Sequence, residues 1–305
     1  MPSRPLASLA VALLLFVAGG AACPHMVRQY VEPVPPVFSE RPTLDEVIAE
    51  VNRQSSQIHS FRGSNAKIDL EGVRLAPTLK ADVVYEQPGR FRLKARSPIA
   101  DEVDLGSNDE LFWVWVRMND PKEMYWCRHD RFDDSPARQL IPVEPGWLIE
   151  ALGVVHLDPR GEHRGPYPTK DGRLEIETRI RTPLGDLTKV TVLDDRRGWV
   201  LQQRLFDAHG KLLASAVGRK HYSVSVDGDP SHRVALPKEV RIEWPPAKLS
   251  MTLDLGELEI NPRDLSPELW TKPTYKGWRD VDLGGMRRSH ALPTVPRGGS
   301  SPVPK

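Results

Sequence analysis

Short segments in which apolar and polar residues alternate, separated by turn residues, run through this chain from residue 79 to residue 255. A period of two residues is that of a strand with one buried face and one solvated face, and connections this short join antiparallel neighbours. Successive strands are not separated by long helices, as they are in alternating α/β folds. The pattern therefore predicts a mainly β (α+β) fold with about ten or eleven antiparallel strands.

A single sheet of this width curls toward a barrel and leaves a concave side to be covered. Residues 43–58 are predicted to form a helix, because Thr43 and Glu46 make a capping-box pattern ahead of an apolar stripe at helical spacing. A second helix is predicted near residues 145–154, which open with proline and end near glycine. We expect roughly two or three helices to cover or plug the concave face of the sheet.

Residues 111–118 are apolar on both faces of their predicted strand, so both faces must be covered or part of this surface must bind something. The chain has eight tryptophans, and two of them lie in this segment. They can pack in the core, or they can line an apolar ligand cavity between the first helix and the strands. The residues that we expect to line such a cavity are Val47, Val51, Val83, Phe91, Leu93, Leu111, Trp113 and Trp115.

Residues 1–22 have the pattern of an export signal. Arg4 precedes an apolar run at residues 6–18 that is too short to span a bilayer, and small residues then lead to Cys23. This ending resembles the bacterial lipobox, in which the cysteine is lipidated and becomes the new N-terminus, although Gly20 stands where leucine is usual. The resemblance implies a lipid anchor on Cys23 and a protein held at a membrane of a bacterial envelope. The alternative is an ordinary secretory signal in which Cys23 is incidental.

Proline content marks the two ends of the folded part. Residues 23–42 begin with the lipidated cysteine and are predicted to form a Pro-rich, extended spacer. Residues 273–305 are predicted to be an extended, largely disordered tail, since their end is rich in proline and glycine. The folded domain is therefore expected to span residues 43–272. No segment after the leader is apolar for long enough to predict a transmembrane helix.

The charge balance argues against nucleic acid as a partner. Arg4 is the only charged residue of the leader, so the 42 basic and 41 acidic residues of the chain become 41 of each after its removal.

If Cys23 carries lipid, Cys127 has no disulfide partner and is expected to be a small buried apolar residue. Its neighbours His129 and Asp130 fall on opposite faces of a strand, which argues against a Cys–His–Asp nucleophile.

Sequence patterns of known catalytic sites are absent. The chain has no glycine-rich phosphate loop and no HExxH, GxSxG or CxxC pattern. His156, Asp158 and His163 come nearest to a metal cluster, but they lie in a segment rich in proline and glycine, and we interpret them as ordinary loop residues. We therefore predict a protein that is not an enzyme, with no catalytic residues, no metal and no cofactor.

Several segments resemble the LolA/LolB-like superfamily of bacterial envelope proteins, which includes carriers and receptors for lipoprotein localisation. The resemblance covers residues 43–272 and lies in the first helix and in loose strand patterns. These patterns are at residues 88–93, 97–98, 108–115, 258–262 and 265–270. The resemblance implies an unclosed β-barrel whose helices plug an apolar cavity for acyl chains, and it implies no catalytic residues. This chain is longer than the carriers and receptors.

Three functions compete at this point. The first is a carrier or receptor that binds acyl chains of lipids or lipoproteins. A continuous apolar cavity between residues 43–58 and 79–118 would favour it. The second is a regulatory or structural envelope lipoprotein that binds a protein partner. A filled core with an exposed apolar patch would favour it. The third is a hydrolase that uses clustered side chains such as His129 or His156.

Because Pro24 and not aspartate follows Cys23, analogy with well-studied envelopes favours the outer membrane, facing the periplasm.

Overall fold

The computed structural model describes residues 36–72, 78–132, 135, 145–183 and 185–286. In these residues the chain forms one curled, unclosed sheet of 17 strands and two α-helices. The predicted mainly β fold with a curled sheet is confirmed. None of the helices described has the length and apolar character needed to cross a membrane.

The bounds of the helices and strands are as follows. The helices are α1 (Leu44–Ser55) and α2 (Pro145–Ala151). The strands of the first half are β1 (Ser60–Glu71), β2 (Thr78–Glu86), β3 (Arg90–Arg96), β4 (Asp101–Ser107), β5 (Leu111–Val116) and β6 (Glu123–Arg128). The strands of the second half are β7 (Glu162–Pro168), β8 (Arg173–Ile180), β9 (Leu187–Asp194), β10 (Val200–Phe206), β11 (Leu212–Arg219), β12 (Tyr222–Val226), β13 (Asp229–Leu236), β14 (Glu239–Trp244), β15 (Leu249–Asp254), β16 (Glu257–Ile260) and β17 (Arg279–Asp282).

The pairing of the described strands leaves the sheet with open edges. From one edge to the other the strands run β7, β8, β9, β10, β11, β14, β15, β1, β2, β3, β4, β5, β6 and β17. All these neighbours are antiparallel except β6 and β17, which are parallel. Strand β16 carries a short branch, in which β12 pairs with β16 and β13 pairs with β12. Among the residues described, β7, β17 and β13 each pair on one side only, so the barrel stays unclosed.

Strand β1 has two partners on the same side, because a bulge divides it. Residues 67–71 pair with β15, and residues 61–64 pair with β16. Between these halves the register toward β2 shifts, and Asn65 has a positive φ of 57°. The backbone of Gly256, between β15 and β16, approaches so closely that a Cβ atom there would lie 2.1 Å from the carbonyl oxygen of Ser64. Glycine is therefore required at this crossing.

The structure has more strands than the predicted ten or eleven, because six strands lack a clean alternation. The bulge interrupts β1, and β4 places the charged Glu102 and Asp104 at buried positions. Strands β7 and β13 contain proline, which sequence patterns exclude from sheet interiors. Strands β16 and β17 have only four residues each, too few to show a period.

Helix α1 begins as the sequence predicts. The backbone N–H of Thr43 donates to Oε2 of Glu46 at 2.7 Å, and the N–H of Glu46 donates back to Oγ1 of Thr43 at 3.3 Å. The helix ends at Ser55, not at residue 58 as predicted. Its buried residues Val47, Ile48 and Val51 pack in a cluster with residues of β8 and β9, not against β2–β5.

Helix α2 fills much of the concave side. It contributes Trp147, Ile149 and Ala151 to the largest core cluster, which also contains Val83, Phe91 and Leu93 of the β2–β3 hairpin. The backbone leaves the helix at Gly153, which has a φ of 102°. The second predicted helix is therefore confirmed, and it plugs the curled sheet.

Both predicted ends of the folded domain need correction. At the start, Phe38 packs in the cluster of α1, and the N–H of Val37 donates to the carbonyl of Arg196 at 2.7 Å. At the end, Tyr275 stacks on Trp115, and β17 extends the sheet. Residues 36–42 and 273–286 thus belong to the domain, because their apolar side chains cover sheet surface that would otherwise face water. Residues 1–35, which include Cys23, and 287–305 lie outside the described residues.

Candidate ligand-binding groove

An open groove of about 760 Å³ lies at one end of the concave side. It is bounded by the end of α1, the turn between β2 and β3, helix α2, and strands β8 to β10. Its volume is in the range of small-molecule binding sites in proteins. Its apolar wall consists of Tyr85, Trp147, Ile149, Val154, Ile180, Leu187 and Leu205.

The alternation of β8, β9 and β10 explains this wall. Ile180 lies opposite Leu187 across β8 and β9, and Leu205 lies opposite Lys189 across β9 and β10. These side chains share the concave face, whereas Thr188 faces the other way, because successive strand residues point to opposite faces. Lys189 is therefore the one cationic residue that the strands bring to this wall in the part of the chain that the structure describes.

An ion pair crosses the groove wall between a strand and a helix. The Nζ of Lys189 lies 2.7 Å from Oε2 of Glu150 on α2, and the two side chains are only 8% and 22% exposed. The side-chain amide of Gln203 donates to the backbone carbonyl of Glu150 at 3.0 Å. These contacts attach α2 to β9 and β10 and leave a net-neutral pair of charges beside an apolar surface.

Two aromatic side chains of the groove wall, Trp147 and Tyr85, carry buried polar atoms. Trp147 is 6% exposed, and its Nε1 has no hydrogen-bond partner among the described residues. Burial raises the pKa of Tyr85 to about 12, so its hydroxyl stays a hydrogen-bond donor at neutral pH. A buried indole N–H without a partner is unfavourable, and a bound acceptor would relieve this cost.

The residues predicted to line one cavity are divided among three clusters. Val83, Phe91 and Leu93 lie in the main core beneath the concave face. Val47 and Val51 lie in the separate cluster beneath α1. Neither set lines the groove, and contact with a ligand remains a prediction for both.

Leu111, Trp113 and Trp115 lie on the opposite face of the sheet, so the prediction that they share a cavity with Leu93 is wrong. Leu93 lies opposite Leu105, and Leu105 lies opposite Val114, so it is Val114 that shares the concave face. The three predicted residues instead pack in or against a cluster with Met124, Trp126, Tyr275 and Trp278. Side chains on both faces of β5 pack in clusters, which is one of the two alternatives that its sequence left open.

A buried carboxylate organises this outer cluster. Asp104 is fully buried and accepts hydrogen bonds from Arg92 at 2.7 Å, from the indole of Trp113 at 3.1 Å and from the hydroxyl of Tyr275 at 2.6 Å. Trp113 lies across from Gly106, where a Cβ atom would come within 2.0 Å of the indole ring. The glycine opposite a tryptophan is the sequence signal that could have placed this ring.

The histidines and the cysteine considered for catalysis have structural contacts. Nε2 of His129 donates to the carbonyl of Asn108 at 2.9 Å, and Nε2 of His163 donates to that of Asp158 at 2.7 Å. Cys127 is buried, and its burial raises the pKa of the thiol. No group of three metal-ligating side chains occurs in the described part of the chain. His156 lies at the groove but is exposed there.

No family model matches the chain, and no curated protein matches its sequence. Solved structures are similar to it in fold. A putative outer membrane lipoprotein-sorting protein domain from Vibrio parahaemolyticus has a TM-score of 0.50 and 10% identity, over 73% of this chain and 95% of that one. A DUF1329 family protein from Desulfovibrio piger has a TM-score of 0.50 and 12% identity, over 78% and 98% of the two chains. A LolA superfamily protein from Nitrosomonas europaea has 13% identity and a TM-score of 0.47, over 75% and 98%.

This chain has a LolA/LolB-like fold. At such low identity the likeness concerns the architecture alone. In this LolA/LolB-like fold, sequence reasoning missed the groove residues Glu150, Lys189 and Leu205. It had predicted α2 and the strands that carry them, but the sequence does not indicate that these elements meet at one end of the concave side.

Proposed function

We propose that this protein is a non-enzymatic lipoprotein of the bacterial envelope that binds acyl chains of lipids or lipoproteins in the groove. The observation that carries the proposal is the groove itself, an opening of about 760 Å³ with seven apolar wall residues on the concave side. The lipidated Cys23 would hold the domain at a membrane. We propose that this membrane is the outer membrane and that the domain faces the periplasm.

The energetics favour an acyl chain as the ligand. Each methylene that leaves water contributes about 0.8 kcal/mol, so about eight methylenes in the groove would contribute roughly 6 kcal/mol. A longer chain would extend toward the space that α2 occupies. Helix α2 has only seven residues and depends on packing for its stability, since isolated helices shorter than ~12 residues are marginal in water. Its displacement would expose the core beneath it to the ligand.

The test uses residues 36–286 expressed without the leader. Organic extraction and mass spectrometry should detect a co-purified acyl lipid, and a fluorescent acyl probe should bind to the lipid-free domain. Leu187→Asp should weaken probe binding by at least about tenfold, because it places a charge on the apolar wall. The matched control is Thr188→Asp, one residue along β9 on the opposite face.

A folded, lipid-free domain that takes up no acyl probe would refute the proposal. Equal loss of binding in both variants would also count against it, since only Leu187 faces the groove.

The anchor has a separate test in the full-length protein. Mass spectrometry of its N-terminal peptide should find acyl groups on Cys23, and Cys23→Ser should abolish them.

A second function, binding of a protein partner, is favoured by one surface feature. Ile99 is 87% exposed and Met118 is 53% exposed. They lie in the β3–β4 and β5–β6 connections, which are at the same end of the sheet because β3, β4, β5 and β6 are successive antiparallel neighbours. Contiguous exposed apolar surface marks sites of protein contact, and these two side chains would contribute to such a surface if they pack together. If the domain proves lipid-free, Ile99→Ser together with Met118→Ser should abolish crosslinking to envelope proteins in cells.

A further inference from the structure

We propose that Glu150 and Lys189 make the groove select acyl groups with an uncharged polar head, such as an ester or amide, over the ionised carboxylate of a free fatty acid. This inference rests on the proposed function. It adds the chemical class of the ligand's polar end and names the residues that determine it.

The groove offers hydrogen-bond donors without net positive charge. A lysine ammonium has three N–H donors, and the carboxylate of Glu150 is the one partner of Lys189 among the described residues. Trp147 belongs to the same groove wall, and its buried indole N–H has no partner in the described part of the chain. Both groups are more than nine-tenths buried, so neither is well solvated. An ester or amide carbonyl is an acceptor that satisfies such donors and brings no charge with it.

Glu150 disfavours a second carboxylate at this place. A fatty-acid carboxylate that approached the ammonium would also lie close to the carboxylate that already binds it at 2.7 Å. Two like charges in a partly desolvated site repel each other, and the bound anion would lose its hydration as well. Without Glu150 the same ammonium would carry an uncompensated charge and would attract the anion. Glu150 is thus the specificity-determining residue, and Lys189 is the donor.

Three other titratable side chains line the groove, of which Tyr85 is buried and keeps its proton at the pH of the measurement, because burial raises its pKa to about 12. His59 and His156 line the groove but are exposed, and His59 lies 3.4 Å from the side chain of Gln87. These two histidines line the same groove as Glu150 and Lys189 but are more exposed than that pair. The measurement therefore compares two ligands at one pH. Both ligands then meet the same state of these histidines.

The experiment compares a fluorescent fatty acid with its methyl ester, each titrated into the lipid-free domain at about pH 8.5, where a carboxyl in water is ionised. The measured quantity is the ratio of ester affinity to acid affinity. We expect the unmodified domain to favour the ester by about tenfold or more. Glu150→Gln should shift the ratio toward the acid by about tenfold or more, because it leaves the ammonium uncompensated.

Lys189→Met should change the ratio in the opposite direction, since it leaves the carboxylate alone and removes the donor. This second variant keeps the test decisive if Glu150→Gln does not fold, and near-ultraviolet circular dichroism checks the fold of each. Glu177→Gln is the matched control, because Glu177 lies on the outer face of β8 and its charge change should leave the ratio unaltered.

The outcomes separate the inference from the proposed function. If neither probe binds the unmodified domain, the proposed function fails and the inference fails with it. If both probes bind but the ratio is near one, or does not respond to Glu150→Gln and Lys189→Met, acyl binding stands and the selectivity is refuted. Opposite shifts in the two variants, with none in Glu177→Gln, support the inference.

Discussion

Replacing Tyr275 by Phe removes one hydroxyl and keeps the ring that stacks on Trp115. The two rings lie 3.9 Å apart between centroids at an interplanar angle of 6°, and the hydroxyl donates to Oδ2 of Asp104 at 2.6 Å. Burial and the hydrogen bond to Asp104 raise the pKa of Tyr275 well above its ordinary range, so the hydroxyl donates throughout the pH range of interest. The substitution therefore measures how strongly one hydrogen bond holds residues 273–286 on the sheet.

The expected loss follows from the partners that remain. A hydrogen bond to a charged group is worth about 1.5–3 kcal/mol. Asp104 keeps Arg92 at 2.7 Å and Trp113 at 3.1 Å, so its charge is not orphaned and the lower part of that range applies. We expect Tyr275→Phe to lower the free energy of unfolding by about 1.5–2 kcal/mol. For a domain of this size this corresponds to a Tm lower by about 3–8 °C.

Urea denaturation of residues 36–286, followed by tryptophan fluorescence, gives the free energy of unfolding. Tyr167→Phe is the control, since Tyr167 is 46% exposed on the edge strand β7, and it should change stability by less than about 0.5 kcal/mol. A double-mutant cycle with Asp104→Asn should show coupling between the two positions. The reasoning is refuted if Tyr275→Phe is as stable as the unmodified domain, or if its effect simply adds to that of Asp104→Asn.

Two further predictions concern the first helix and pH. Thr43→Ala should lower the free energy of unfolding by about 1 kcal/mol, because it removes the side chain that caps α1, and thermal denaturation that leaves Tm unchanged would contradict this. Burial lowers the pKa of His221 below the ordinary value of 6.5. The unfolded chain therefore binds more protons between these two values, so stability should fall as pH drops from about 7 through the lowered pKa, and His221→Gln should flatten this fall. Parallel stability curves for the two proteins between about pH 5 and 7.5 would show that His221 does not contribute.

Local patterns predicted the elements that depend on nearby residues. The capping box of Thr43 and Glu46 spans four residues, and it starts α1 where the sequence indicates. The hairpin of β2 and β3 was readable because its turn and both of its alternating strands lie within residues 78–96. The resemblance to LolA/LolB-like proteins then supplied the unclosed barrel, which residue patterns alone leave open.

The sequence by itself determined that β5 is apolar on both faces, since Phe112, Trp113 and Val114 are apolar in succession, so that each face must be covered or must bind something. It did not determine which face is concave, because a period of two residues has two equivalent phases. Only long-range pairing chooses between them, through Leu105 opposite Val114, and a bulge or a glycine in a neighbouring strand can change the result.

The groove was decided by tertiary structure for the same reason. Glu150 and Lys189 lie 39 residues apart and meet only because α2 folds into the concave side onto β9 and β10. Each of these residues, read alone, is an ordinary charged residue of a helix or a strand. Their burial beside an apolar wall is a property of how the elements pack, and it is this packing that makes them candidates for recognising the polar end of an acyl ligand.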